Sequence, residues 1–352
     1  MTEKNMSEMK AILCGYYGKG NGGDEALLVS LLQMLPSQIK PIVLSGNPAQ
    51  TSKLYGVTSC DRKSAFPILK ALRASDLFIW GGGSLMQDTT SMLSPIYYAG
   101  LMALAQQQGL KTIAWAQGIG PLNRSFTRKI TKQVLYGCAG ISVRDYRSAK
   151  LLDEWQIAPL IAPDPVWSLA GREVAEVQNL PESRVAVVLR SHKLLTITRL
   201  EILTSALQNF QQATGSYVLI VPFQPIQDLA IAKSLQKKLG DQSKILSLSD
   251  PRELKGLFKN VKMTIGMRLH SLIMAAAEGC PCFALSYDPK VSQLMKELNL
   301  SGWELDELPT SSEIISETWQ KFYHQGQALN PDTIRSLQDR SLMHRDIILN
   351  CI

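Results

Sequence analysis

Long apolar runs are missing from this chain: the longest, residues 97–105, is about half of the roughly 20 residues that a bilayer-crossing helix requires. No membrane span is therefore expected. Cysteine is sparse and unpatterned. Of the six, Cys14, Cys60, Cys138 and Cys351 stand alone, and Cys280-Pro281-Cys282 lacks the two-residue spacer of a zinc or redox pair. Reduced thiols packed in cores are expected, not a disulfide framework. The chain also has neither a His-rich cluster nor an Asp-x-Asp sugar-nucleotide signature, so no metal is expected. The net charge of +7 comes from 37 Lys and Arg scattered without a basic block or interleaved aromatics, which argues against a nucleic-acid partner. An anionic small substrate or a lipid-phosphate surface accounts for the excess equally well. The polar stretch 1–10 has no apolar core followed by a small-residue cleavage site. A cytosolic location follows as the expectation, with at most loose attachment to the inner membrane face.

What is present is an alternation of strands and helices, in a chain of 352 residues with room for two ordinary domains. The apolar run 11–14 enters Gly15-Tyr16-Tyr17-Gly18-Lys19-Gly20-Asn21-Gly22-Gly23-Asp24-Glu25, and helical spacing follows over 26–35. A strand, a glycine loop and a helix form the grammar of a phosphate-binding turn, although the spacing fits no ATP-type P-loop and only part of the Rossmann fingerprint. The glycines would let a bulky ligand approach the backbone, with Asn21 and Asp24 at a helix start, where Asp24 is equally an N-cap. A strand over 76–80 runs into Gly81-Gly82-Gly83, which suggests an unobstructed cleft floor. Further strands over 112–116 and 140–143 deliver Gln117-Gly118-Ile119-Gly120-Pro121 and Arg144-Asp145, where an Arg144 to Asp145 ion pair or a cap is the alternative to a ligand role. Residues 162–167, with two prolines, read as a stiff, extended exit and hinge, and 168–184 as an irregular linker.

The alternation then restarts. Strands over 185–189, 217–221, 244–246, 261–265 and 281–286 alternate with helices, and helices over 313–323 and 331–349 finish the chain. The stretch that organises the rest is Thr264-Ile265-Gly266-Met267-Arg268-Leu269-His270-Ser271, a strand leading through a turn into a small-residue helix. Strand carboxyl ends are where open α/β sheets bind ligands, and a helix amino end there already favours an anion. Arg268 and His270 add a guanidinium and an imidazole, and Lys290, at the next strand end, is either a third partner or a surface lysine. The predicted architecture is α/β: two Rossmann-like lobes around a central cleft, an N-terminal lobe over 1–167, a C-terminal lobe over 185–330, and a last helix over 331–352 returning to the first lobe.

Across nearly its whole length the chain resembles the polysaccharide pyruvyl transferases, close to those that decorate bacterial cell-wall polysaccharides and anchor surface layers. The resemblance rests on Gly15-Tyr16-Tyr17-Gly18 with Asn21-Gly22-Gly23-Asp24-Glu25, Trp80-Gly81-Gly82-Gly83, Gln117-Gly118-Ile119-Gly120-Pro121, Ser142-Val143-Arg144-Asp145, Asp164-Pro165, Met267-Arg268-Leu269-His270 and Tyr287-Asp288-Pro289-Lys290. It implies a GT-B-like fold, phosphoenolpyruvate as donor and a sugar diol of a cell-wall polysaccharide or lipid-linked precursor as acceptor. The family's donor-contacting and catalytic residues would fall on Arg144, Arg268, His270 and Lys290. Holding a carboxylate and a phosphate on one small frame calls for cations not neutralised by acidic neighbours, with His270 as proton donor or relay. Asn21, Asp24 and Gln117 are the expected acceptor contacts. Two alternatives stay open on the residues alone: a sugar-nucleotide glycosyltransferase of the same fold, and a non-catalytic binder of anionic glycans.

Overall fold

The computed structural model describes residues 8–89 and 91–352, so residues 1–7 of the polar amino-terminal stretch lie outside the described part. The chain forms two compact units. Of the described residues, the first comprises those in 8–19, 24–169 and 337–352, and the second comprises those in 20–23 and 170–336.

The first unit is built on seven parallel strands: β1 (Met9–Cys14), β2 (Ile39–Ser45), β3 (Thr58–Asp61), β4 (Leu77–Trp80), β5 (Lys111–Gln117), β6 (Gly140–Val143) and β7 (Leu160–Ile161). Their spatial order is β3-β2-β1-β4-β5-β6-β7, so the direction of winding reverses between β1 and β4. The central strand β4, Leu77-Phe78-Ile79-Trp80, is apolar throughout, because helices cover both faces of a parallel sheet. Phe78, Trp80, Tyr98 and Met102 pack on one face; Leu28, Leu31 and Trp115 pack on the other with Ile348 and Cys351.

The second unit has six parallel strands: β8 (Arg184–Val188), β9 (Tyr217–Ile220), β10 (Ser243–Ile245), β11 (Met263–Gly266), β12 (Cys282–Ser286) and β13 (Ser301–Glu304). Their order, β10-β9-β8-β11-β12-β13, again reverses once, between β8 and β11. This is the doubly wound arrangement, whose ligand position lies beyond the strand carboxyl ends at the reversal. Phe210, Phe283 and Trp319 fill the core between sheet and helices.

Several local expectations change. Residues 162–167 are not extended throughout: Asp164 caps a 3-10 turn at Pro165–Ser168 through a bond from the Val166 amide. The 168–184 stretch is no bare linker, since it holds the helical turn Ala175–Gln178 and the first residue of β8. The single terminal helix expected over 331–349 is two, Pro331–Ser341 and His344–Leu349. The helix Pro48–Tyr55 and the strands β3, β7 and β13 also have no counterpart in the sequence reading; all are short and mostly partly exposed, so they lack the apolar run that marks a central strand such as β4. All six cysteines are free thiols. No helix among the described residues is long and apolar enough to cross a membrane.

His344 locks the last helix onto the first sheet. Its ring is fully buried, 2.9 Å from Ser142 Oγ through Nδ1 and 3.0 Å from the Pro163 carbonyl through Nε2, while Trp115 Nε1 donates to the His344 carbonyl. Ser142 Oγ already accepts from the Ala116 amide, so its hydroxyl proton is directed at Nδ1 and the imidazole is neutral with the proton on Nε2. Burial depresses the His344 pKa from 6.5 to about 4. A histidine depressed in the folded state takes up protons preferentially when unfolded, so stability is complete above pH 6.5 and is lost as pH falls through about 4. Between pH 7 and pH 5 this one group should cost about 2 kcal/mol. Thermal melts of wild type and His344→Gln across that range should show the steeper decline in wild type; parallel curves would remove His344 as the cause.

Candidate functional site

In the second unit, three neighbouring strands, β8, β11 and β12, present their carboxyl ends side by side, with Gly266 of β11 in register with Val188 and Ala284. Arg190 follows β8. Arg268 stands at the amino end of the helix Leu269–Ala277, with His270 in its first turn, and Lys290 is the second residue of the helix Pro289–Leu298. Lys290 is therefore not in a turn, as expected, but in a first helical turn capped by Asp288, which accepts from the Lys290 amide at 2.9 Å.

His270 is seated by a glycine. A Cβ built on Gly23 would fall 2.2 Å from His270 Nδ1, and one on Gly22 would fall 2.6 Å from Leu254 and 3.2 Å from the Phe223 carbonyl, which Gly22 bonds through its amide. The Gly22-Gly23 pair is thus required by close approach. Asn21 turns the chain into that position, accepting from the Gly23 amide at 3.1 Å.

The expectation of uncompensated cations is overturned at both arginines. Arg268 is 7% exposed and lies along Asp228, Nε to Oδ2 at 2.9 Å and Nη2 to Oδ1 at 2.6 Å. Arg144 forms a buried ion pair with Asp164 and a 3.4 Å contact with Ser84 Oγ. The cause is desolvation: a carboxylate withdrawn from water needs hydrogen-bond donors, and a guanidinium supplies them together with a compensating charge. Asp145 is not the partner of Arg144; it caps the helix Tyr146–Asp153 through the Ser148 amide at 2.8 Å.

The first unit also revises the glycine loop. Most of its glycines face the protein's own side chains and not an open floor. Added Cβ atoms would meet the Tyr17 ring from Gly15 at 2.4 Å, Tyr17 Oη from Gly81 at 2.0 Å and Leu27 from Gly82 at 2.8 Å. Glu25 accepts from the amides of Gly18 and Lys19 and from Tyr55 Oη, and burial raises its pKa. Gly83, at φ +112°, does need glycine's conformational freedom, and its built Cβ lies 3.5 Å from Asp24 Oδ1. Asp24 sits inside the helix Gly22–Met34 and so is no N-cap; it stands beside Gly83, where the winding of the first sheet reverses. Gln117 is fully buried, and its Nε2 donates to the backbone carbonyls of Trp115 at 3.0 Å and Trp80 at 3.4 Å. It bridges β4 and β5 from within, so the acceptor contact expected of it is not available.

Several motifs therefore converge in the first unit: a Cβ on Gly118 would meet Ser84 Oγ at 3.0 Å, Asp145 Oδ2 at 3.3 Å and Arg144 Nε at 3.4 Å. Over residues 21–289 the sequence matches the polysaccharide pyruvyl transferases. The chain belongs to that family. No curated protein matches it by sequence. Among solved structures, the pyruvyl transferase chain is similar in fold to the UDP-GlcNAc 2-epimerase of Methanocaldococcus jannaschii, with TM-score 0.64, 10% identity and coverage of 97% of this chain and 99% of that one. The Neisseria meningitidis UDP-GlcNAc 2-epimerase, solved with UDP-GlcNAc bound, gives TM-score 0.64 at 10% identity over 97% and 100%. Anabaena HepE, in complex with UDP and glucose, gives 0.59 at 12% identity over 97% of each chain. These likenesses bear out the α/β, GT-B-like fold expected from the sequence.

Removing Arg268 would strand Asp228, which is 1% exposed. Arg268→Ala should cost about 3–5 kcal/mol in a urea unfolding titration, and adding Asp228→Asn should restore part of it. Unchanged stability in the single variant would make Arg268 a grip for ligand alone.

Proposed function

We propose that this pyruvyl transferase moves the three-carbon unit of phosphoenolpyruvate onto two hydroxyls of a cell-envelope polysaccharide or of its lipid-linked precursor, forming a cyclic ketal and releasing phosphate. The observation that carries the reading is the seating of His270 against Gly23, which brings two motifs of the family resemblance together at one imidazole.

The reaction makes clear demands. The methylene carbon of the donor gains a proton, a sugar hydroxyl oxygen bonds to the adjacent carbon, the bond from that carbon to the phosphate oxygen breaks, and the second hydroxyl closes the ring. Of the two hydroxyl protons lost, one balances the new methyl group and the other leaves with phosphate. His270 is assigned the proton transfer, since an imidazole both gives and takes protons near neutral pH. Lys290 supplies a compact charge to the donor. Arg268 is assigned as a donor group of fixed orientation, its plane set by Asp228. Arg144 is assigned to order Ser84 and Asp164 in the first unit. Asp24, beside Gly83, remains the assigned acceptor contact. A position in the cytosol at the inner membrane face suits a lipid-linked acceptor.

Phosphate release from phosphoenolpyruvate with a nitrophenyl or lipid-linked sugar, followed by detection of the ketal methyl group, tests the assignment directly. His270→Ala should lower kcat by about 10²-fold or more with a smaller change in KM, as expected for loss of a general acid. Turnover of a nucleotide sugar without consumption of phosphoenolpyruvate would decide for a glycosyltransferase. Gly23→Ala, which pushes a methyl group into the His270 ring, should reduce kcat while the melting temperature stays near that of wild type; full activity would show that the imidazole position is not critical.

A further inference from the structure

With Arg268 neutralised by Asp228, the second unit needs another fixed positive charge to hold a multiply charged donor. We propose that Arg190, held by Tyr287, is the oxyanion grip of this unit and contacts the phosphate or carboxylate of the donor. The inference rests on the phosphoenolpyruvate reading above.

Arg190 leaves the carboxyl end of β8, the strand at which the winding of the second sheet reverses, with β9 on one side and β11 on the other. Ligands of doubly wound sheets gather beyond that point. Its bonds all go to neutral groups: Nη1 to Tyr287 Oη at 2.8 Å, Nη2 to Gln227 Oε1 at 3.3 Å and Nε to the Ser191 carbonyl at 3.3 Å. Among the described residues no carboxylate lies within ion-pair distance of it, in contrast to Arg144 and Arg268. The guanidinium also stacks over the Tyr287 ring, 4.9 Å from its centroid, which fixes the plane without cancelling the charge. Tyr287 opens the Tyr287-Asp288-Pro289-Lys290 motif, so the stacking ring and Lys290 stand on either side of the Asp288 cap. Asp288 is the nearby carboxylate; its Oδ1 is engaged by the Lys290 amide. The His192 ring lies 4.7 Å from that of Tyr287, and its pKa is lowered by burial first and then by the charges of Arg190 and Lys193, with Asp288 opposing. A guanidinium of set orientation and undiminished charge matches an oxyanion.

Calorimetric titration of the full chain with phosphoenolpyruvate, inorganic phosphate and UDP, for wild type, Arg190→Ala and Arg190→Gln, tests the assignment. The expected result is phosphoenolpyruvate binding weakened at least 10-fold in both variants, a parallel loss for inorganic phosphate, and a smaller loss in Tyr287→Phe, with melting temperatures near wild type. In the kinetic assay the KM for phosphoenolpyruvate should rise more than kcat falls. Equal binding of phosphoenolpyruvate by wild type and a folded Arg190→Gln would overturn the role of Arg190 and leave the donor reading intact. Binding of UDP but not phosphoenolpyruvate by wild type, lost on Arg190→Gln, would overturn the donor and keep the grip.

Discussion

Two buried aspartates, Asp228 and Asp164, are each answered by an arginine, and the strand-end architecture of both units depends on those pairs. In the second unit Asp228 sits in the first turn of the helix that follows β9, and Arg268 follows β11; these strands flank β8, so the pair spans the carboxyl end of the central strand. Asp228 also accepts from the Gln224 amide at 2.8 Å, which ties the turn itself into the pair. In the first unit Asp164 caps the 3-10 turn after β7 and holds Arg144 from β6. Each pair costs desolvation, returned only where the geometry is close and the remaining lone pairs are met. What each fixes is the path of the backbone as it leaves the sheet.

That constraint separates two kinds of basic residue that look alike in a sequence. Arg144, Arg190 and Arg268 all stand just beyond a strand, yet two are fastened to aspartates distant in the chain and one rests on a tyrosine. The difference lies in residues 20, 40 and nearly 100 positions away, so no local pattern reports it. Arg190 has the same strand-end position as the others, with no neighbour in sequence to distinguish it.

The fold was far more legible than the site. Fully apolar stretches such as Leu77–Trp80 and residues 185–188 mark central parallel strands because both faces are covered, and capping by Asp145, Asp250 and Asp288 follows helix starts visible in the sequence. Edge strands such as Thr58–Asp61 and Ser301–Glu304 bury little and leave no apolar signature. The glycine loops misled for a physical reason: glycine signals close approach, but not by what. At Gly15 and Gly81 the visitor is Tyr17, at Gly23 it is His270, and at Gly83 the backbone angle itself requires glycine. Gln117 was similarly ambiguous, since a polar residue ending a strand is equally a ligand contact or a bridge between carbonyls, and burial decided for the bridge.

The lodging of His344 among Ser142, Trp115 and Pro163 has a bearing on biosynthesis. Residues 337–352 belong to the first unit, yet all of 170–336 is translated before them. While the second unit emerges from the ribosome, the sheet face that awaits Ile348 and Cys351 is bare and the Ser142 hydroxyl has no imidazole to meet. The first unit is therefore finished last, by a short helix acting as a closing peg, and a nascent chain stalled before that point would expose an oily surface to chaperones.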